Sequence, residues 1–336
     1  MKFGRLAFLL DDAELGVGTT ELGPLWRGAL GRTLRELTCY RSPTSVCADC
    51  PQVYRCTYGA MYETKPPPAL AQFAQSGVSA PTVLFVSAPG NAQLVVEYTV
   101  LAHATQHIAT LIEAVQRLLV RPQGLAAAHV RPTLTRILWE PRVGDPSSRV
   151  LLDPTRPIWL EPVLAAQIPP PPERIRLSSL SPIRLTHDGK PLRETSIADL
   201  TQRLLRRQHL LGKLFDLDVP GPELNALGAQ LQETHRQWRF QEFSRGSSRQ
   251  KRQVPMGGLH GSVDFYLPQS AHALWPWLWL GQFIHIGQST NLGMGRYLLE
   301  PIETPEPLDL ANWPKLSQTQ TARETPIISK KKAFST

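Results

Sequence analysis

The chain has 336 residues, a length that suggests two domains. Hydrophobic residues make up 42%, too many for a chain disordered throughout, and 31 prolines with 23 glycines exclude a long coiled coil or a helical repeat array. Lys and Arg number 36 against 28 Asp and Glu, a net charge of +8, and no stretch reaches the ~18 apolar residues that a membrane span needs.

In chain order, residues 2–10 form an apolar run of strand length, which ends at Asp11 and Asp12 and is too short for a signal-peptide core. The reading is therefore a soluble, cytoplasmic protein. Gly23 and Pro24 open a helical pattern that runs to Thr38, with Trp26, Leu30, Leu34 and Leu37 on one face and Arg27, Arg32 and Arg35 off it. A cysteine-rich stretch follows at 39–56, then a stiff break at 65–68. Strands are expected at 82–87, 92–100 and 133–140, with a helix at 105–120. The four prolines at 169–172 suit neither a helix nor a central strand and favour an extended linker. These limits give a first domain over 1–168, a linker over 169–174 and a second domain over 175–302. In the second domain, strands are expected at 175–185, 261–266 and 296–301, and helices at 197–215 and 274–282. The tail, 303–336, is polar and Pro-punctuated, carries Lys330, Lys331 and Lys332, and reads as disordered. The recurring order of elements points to an α+β architecture of two tandem βαββαβ units with a small cysteine-rich insertion in the first.

The cysteines are Cys39, Cys47, Cys50 and Cys56, and the chain has no others. The short spacing of Cys47 and Cys50 lets one tight turn present two sulfurs to an ion, and four thiolates suit a closed, structural zinc site. Reduced, partly buried thiols and a redox pair at Cys47 and Cys50 are the competing readings. His103 and His107 lie four apart but lack the intervening Glu and third ligand of a zincin site.

Two further segments carry chemistry. Between 236 and 252 the chain holds Arg236, Arg239, Arg245, Arg249, Lys251 and Arg252, interleaved with Trp238, Phe240 and Phe243. Such a segment suits a nucleic-acid backbone, and a solvated loop is the bland alternative. Residues 281–297 read GQFIHIGQSTNLGMGRY. Glycines there let backbone N–H groups approach a phosphate, while a structural turn competes. Neither a Walker loop nor a dinucleotide fingerprint is present. Trp275, Leu278 and Trp279 share a helical face and are expected in the core.

The phrases SPIRLTHDGK from Ser181, RGSSRQ from Arg245, GGLHG from Gly257, and HIGQ from His285 through Gly295, Arg296 and Tyr297, resemble the CRISPR-associated repeat-RNA endoribonuclease family in order and spacing. The segment at 25–39 with 47–63 resembles its cysteine-bearing bacterial branch. The resemblance implies a RAMP fold of two tandem ferredoxin-like, RRM-like domains. It further implies cleavage of precursor CRISPR RNA within each repeat without a catalytic cofactor. The product would be a guide RNA that stays bound, in company with other CRISPR effector subunits. Two departures stand out: Gly246 where relatives often carry an aromatic, and Gln288 where many carry a Lys.

Metal-free RNA cleavage needs a base near the 2′-oxygen, an acid near the leaving oxygen, and charge on the phosphorane. Histidine titrates near neutrality, so His285 and then His260 are the candidate catalytic groups. Arg245, Ser248, Arg249, Gln250, Lys251 and Arg252 are the candidate RNA contacts on one segment. Gly287, Gln288, Ser289, Thr290, Gly293, Gly295 and Arg296 are those on the other. Two alternatives stay open: a non-catalytic RAMP scaffold carrying guide RNA, and a zinc-stabilised RNA-binding protein unrelated to CRISPR.

Overall fold

The computed structural model describes residues 2–11, 18–41, 46–66, 70, 79–90, 92–121, 125, 132–153, 155, 156, 160–247 and 252–302. The tail expected to be disordered lies outside them.

The first half runs β1 (Phe3–Asp11), α1 (Thr19–Thr38), a short α2 (Thr57–Tyr62), β2 (Thr82–Gly90), β3 (Gln93–Leu101), α3 (Ile108–Val120), β4 (Thr133–Glu140) and β5 (Val150–Leu152). Its sheet has the order β2-β3-β1-β4-β5, antiparallel throughout. The second half runs β6 (Arg174–Ser179), a two-residue ladder of β7 (Thr186–His187) and β8 (Lys190–Pro191), then α4 (Ile197–Phe215) and α5 (Leu224–Gly228). After these come β9 (Gln232–Ser247), β10 (Arg252–Tyr266), α6 (Trp275–Ile284) and β11 (Tyr297–Pro301). Its sheet order is β11-β6-β10-β9. Fourth, first, third, second is the strand order in both sheets, with β5 added at one edge. Both halves are therefore ferredoxin-like βαββαβ units.

Side-chain period explains the elements. Leu6, Phe8 and Leu10 alternate on β1 and share a buried cluster with Trp26, Leu30 and Leu34 of α1 and Leu111, Ile112 and Val115 of α3. α1 starts before the expected Gly23, because Glu21 reaches back to accept from the Gly18 N–H at 3.2 Å. Pro24 then sits inside the helix, where it forfeits one backbone hydrogen bond. In α4, Ile197, Leu200, Leu204 and Leu211 face the second core, and the Ser196 hydroxyl caps the helix by accepting from Asp199 N–H at 3.1 Å. Trp275 and Trp279 are buried in that core, as their spacing predicts. Residues 166–172 form neither helix nor strand, and the Pro169 carbonyl accepts from the Trp275 indole at 2.6 Å.

The alternative of a solvated loop does not hold for most of the basic segment, which belongs to the long strands β9 and β10, paired from Arg252 opposite Ser247 to Tyr266 opposite Gln232.

The halves share a joint. The face of the first sheet turned away from α1 and α3 receives α6 and the loop after it. Phe3 meets Phe283 with ring centroids 6.0 Å apart, and the Thr99 hydroxyl donates to the Phe283 carbonyl at 2.8 Å. Arg5 and Arg296 lie over the Phe283 ring at 5.1 and 5.2 Å. Arg5 also pairs with Glu97 and, at 2.8 Å, with Glu140, so the charge on this buried face is compensated.

Candidate nucleic-acid interface and catalytic groups

The glycine-rich loop is built around His285, which ends α6 at φ 61° with only 2% of its surface exposed. Its Nδ1 lies 2.9 Å from the Met294 carbonyl, so the ring joins the two limbs of the loop. Phe85 of β2 meets the ring edge-on at 6.1 Å between centroids. Burial above all, then the Arg296 charge, holds the imidazole well below its ordinary pKa. His285 is thus a neutral tie inside the protein.

Arg207 of α4 holds the same loop from the other side. It donates to the Ile284 and His285 carbonyls, to Thr290 Oγ1 at 2.9 Å and to Ser79 Oγ at 3.0 Å. Burial pushes its pKa down to about 10, so it stays charged at neutral pH. Nothing in the sequence distinguishes Arg207 from its neighbours Arg203 and Arg206.

The glycines of the loop serve the chain's own packing. A Cβ on Gly287 (φ +82°) would stand 2.3 Å from the Arg184 carbonyl oxygen, and one on Gly295 (φ +81°) 2.0 Å from that of Ile286. The N–H groups of Gln288, Gly293 and Gly295 donate to Arg184, Thr290 and Pro182 carbonyls. These three are therefore engaged and do not form an open phosphate cradle. Arg296 is likewise turned inward: it donates to the Gln282 carbonyl and lies over Phe85 at 5.7 Å, and burial lowers its pKa to about 10. Gln288 is exposed and donates to Thr186 Oγ1 at 2.9 Å, while Ser289 is partly exposed. From Thr186 a groove of about 810 Å³ extends past His187, Arg203, Arg206 and His209. No contiguous motif marks it, because its residues come from β7, from α4 and from the stretch at 220–225.

The second sheet presents its other face to solvent. On β10, Leu259 and Val263 point to the core, so His260, Ser262 and Asp264 point away. His260 lies opposite Arg239 of β9 in the register, and Ser262 opposite Gln237. The His260 ring is pinned through Nδ1 to Ser179 Oγ at 3.0 Å, and that oxygen also accepts from Gly261 N–H at 2.8 Å. Burial first, then the Arg239 charge, lowers the pKa of His260 below 6.5. Arg176 and Asp264 pair through two bonds of 2.7 Å on the same face. Arg239 lay within the basic segment, but only the register places it beside His260. Ser179 carried no signal in the sequence.

Arg245 lies opposite Val254 and Arg252 opposite Ser247 near the end of the hairpin. Ser248, Arg249, Gln250 and Lys251 fall outside the described residues.

All four cysteines belong to the described chain, as free thiols of intermediate exposure. Among the described residues, no three His, Cys, Asp or Glu side chains are gathered as they stand into a group that could hold an ion. His107 is engaged with the Thr57 hydroxyl at 3.0 Å, and His103 rests against Phe215. No helix among the described residues is long and apolar enough to cross a membrane.

The architecture of two tandem ferredoxin-like units is shared with a solved Cas6 structure. Residues 177–297 match the family model described as CRISPR-associated endoribonuclease Cas6, and residues 16–162 match one described as an N-terminal domain. Over residues 177–297, then, the chain is similar to the Cas6 endoribonuclease domain. A solved Cas6 product complex is 15% identical over 89% of this chain and 100% of its own, with a TM-score of 0.52, a likeness of fold. Thermus thermophilus Cas6 is 14% identical over 89% of this chain and 99% of its own, at 0.48. No curated protein matches the chain.

Proposed function

We propose that the protein binds CRISPR repeat RNA and cuts precursor CRISPR RNA once within each repeat, without a metal ion, and then keeps the product as guide RNA. One observation carries this reading: the match to the Cas6 endoribonuclease model falls on a unit whose open sheet face holds His260 beside Arg239. In the reaction, the ribose 2′-oxygen attacks the adjacent phosphorus in line. The P–O5′ bond breaks, leaving a 2′,3′-cyclic phosphate and a 5′-hydroxyl. The 2′-hydroxyl proton passes to a base, and the leaving oxygen takes one from an acid. His260 suits such a transfer at Nε2: its ring is held by Ser179, and its lowered pKa keeps it neutral at pH 7. Arg239 places positive charge within reach of the phosphorane. His285 is a positioning residue in this reading, since its burial keeps it from RNA while it fixes the loop. The hairpin, with Arg245, Arg249, Lys251 and Arg252, would hold phosphates, and the groove from Gln288 to His209 would continue the path.

The test is cleavage of a labelled repeat RNA in excess EDTA. A single cut ending in a cyclic phosphate supports the reading, and His260→Ala should then lower the rate roughly 10²–10⁴-fold with binding kept. Tight, salt-dependent binding without a cut would favour a non-catalytic scaffold. The inward use of His285 and of the loop N–H groups is the feature that favours that second reading. Absence of binding would overturn both.

A further inference from the structure

The four cysteines stand apart from the surface just described. They lie on three short pieces of backbone that meet at one point. Cys39 closes α1, its N–H bonded to the Arg35 carbonyl at 2.8 Å. Cys47 and Cys50 bracket a single tight turn, closed by a 3.1 Å bond from Cys50 N–H to the Cys47 carbonyl. Cys56 opens α2, with its N–H on the Gln52 carbonyl at 2.8 Å. All four, with Val53 and Gly59, line a single cavity of about 20 Å³, the size that holds one water molecule or one ion.

The packing of the insertion supports the same conclusion. Among the described side chains between Cys47 and Tyr62, the buried apolar ones are Val53, Ala60 and Met61; Met61 belongs to the main cluster of the first domain, and Tyr58 and Tyr62 pack against it. Arg27 lies over Tyr62 at 4.1 Å, Arg35 over Tyr58 at 5.7 Å, and the Thr57 hydroxyl meets His107 at 3.0 Å. α2 is nonetheless pressed onto the turn: a Cβ on Gly59 would stand 2.2 Å from the Val53 carbonyl oxygen. Among the described residues, the turn that carries Cys47 and Cys50 gives no side chain to that cluster, and a bound metal ion or a disulfide is what fastens such a stretch.

We propose that Cys39, Cys47, Cys50 and Cys56 bind one zinc ion as a structural tetrathiolate that fastens the insertion to the end of α1. Each thiol gives its proton to solvent on binding, and the sulfurs close to about 2.3 Å from the ion by rotation about their Cα–Cβ bonds. With four sulfurs bound, no position stays open for water, so the ion takes no part in RNA chemistry. The site is independent of the nuclease reading and stands or falls separately.

The experiment uses the full chain, purified under reductant without chelator and gel-filtered in EDTA. Elemental analysis should find about one zinc per chain. The cobalt(II)-loaded protein should show thiolate-to-metal charge transfer and the intense visible bands of a tetrahedral site. In Cys47→Ser/Cys50→Ser the retained zinc should fall by more than the roughly 10–100-fold that outer-shell changes cost. If that variant does not fold, the cobalt spectrum of the unaltered chain decides. Metal far below one equivalent, with four thiols titratable in the native protein, would overturn the proposal. So would a disulfide between any two of the four found in freshly reduced and re-exposed protein that no longer takes up cobalt.

Discussion

The two sheets share a strand order and differ in what lies on their open faces. In the first, that face carries Phe3, Arg5, Glu97 and Thr99, and α6 and the glycine-rich loop cover it. In the second, the corresponding face carries Arg176, Arg239, His260 and Asp264, and solvent reaches it. One copy of the fold spends its open face on joining the halves, so the other copy is left to meet a ligand. The glycine-rich loop belongs to the joint. Its polar residues are read too easily as ligand contacts when the covered sheet is not considered.

This contrast can be broken by substitution. Phe283→Ala removes the ring that Phe3, Arg5 and Arg296 pack against, and should cost about 3–5 kcal/mol in denaturant unfolding. A loss below about 1 kcal/mol, inside the range of ordinary surface substitutions, would mean that the first sheet is not covered as described.

His285 sharpens the contrast through pH. The unfolded chain takes up a proton near pH 6.5, which the buried ring refuses until far lower pH. Its contribution to stability is therefore fully present above 6.5 and is lost as pH falls below it, by up to about 1.4 kcal/mol per pH unit. Urea unfolding at several pH values should show this limb in the native chain and a shallower one in His285→Asn. Equal slopes would place the imidazole in contact with water.

The smallest effects belong to the open face. Arg239→Gln should leave unfolding nearly unchanged and raise the pKa of His260, so the acid limb of the cleavage profile moves to higher pH. The same change should reduce the salt slope of RNA binding by about 1. A large loss of stability instead would show that this face, too, is a packing surface.

Much of this frame was legible in the sequence. The periodic apolar positions of α1, α3 and α4 and the alternation of β1 mark their elements directly, because each buries one face. β9 escaped for the opposite reason: residues 232–237 are all exposed, so no alternation marks a strand, and only pairing with β10 reveals it. The glycine motif is plain in the sequence, and of its two readings the structural turn is the one the contacts fit. That Gly287 and Gly295 press against backbone carbonyls depends on contacts with residues far away in sequence, such as Arg184, for which local pattern carries no signal. His260 and Arg239 were each visible, and their adjacency waited on the register.

The covered sheet also sets an order of events during synthesis. Its last strand, Val150–Leu152, is finished long before Trp275–Ile284 can arrive to cover it. At about 5–20 residues per second, the new sheet would stand with Phe3 and Leu101 uncovered for several seconds to tens of seconds. The nascent chain is in that interval a partner for any holdase that recognises apolar β-surface, and a slowly translated stretch between residues 153 and 274 would lengthen its exposure.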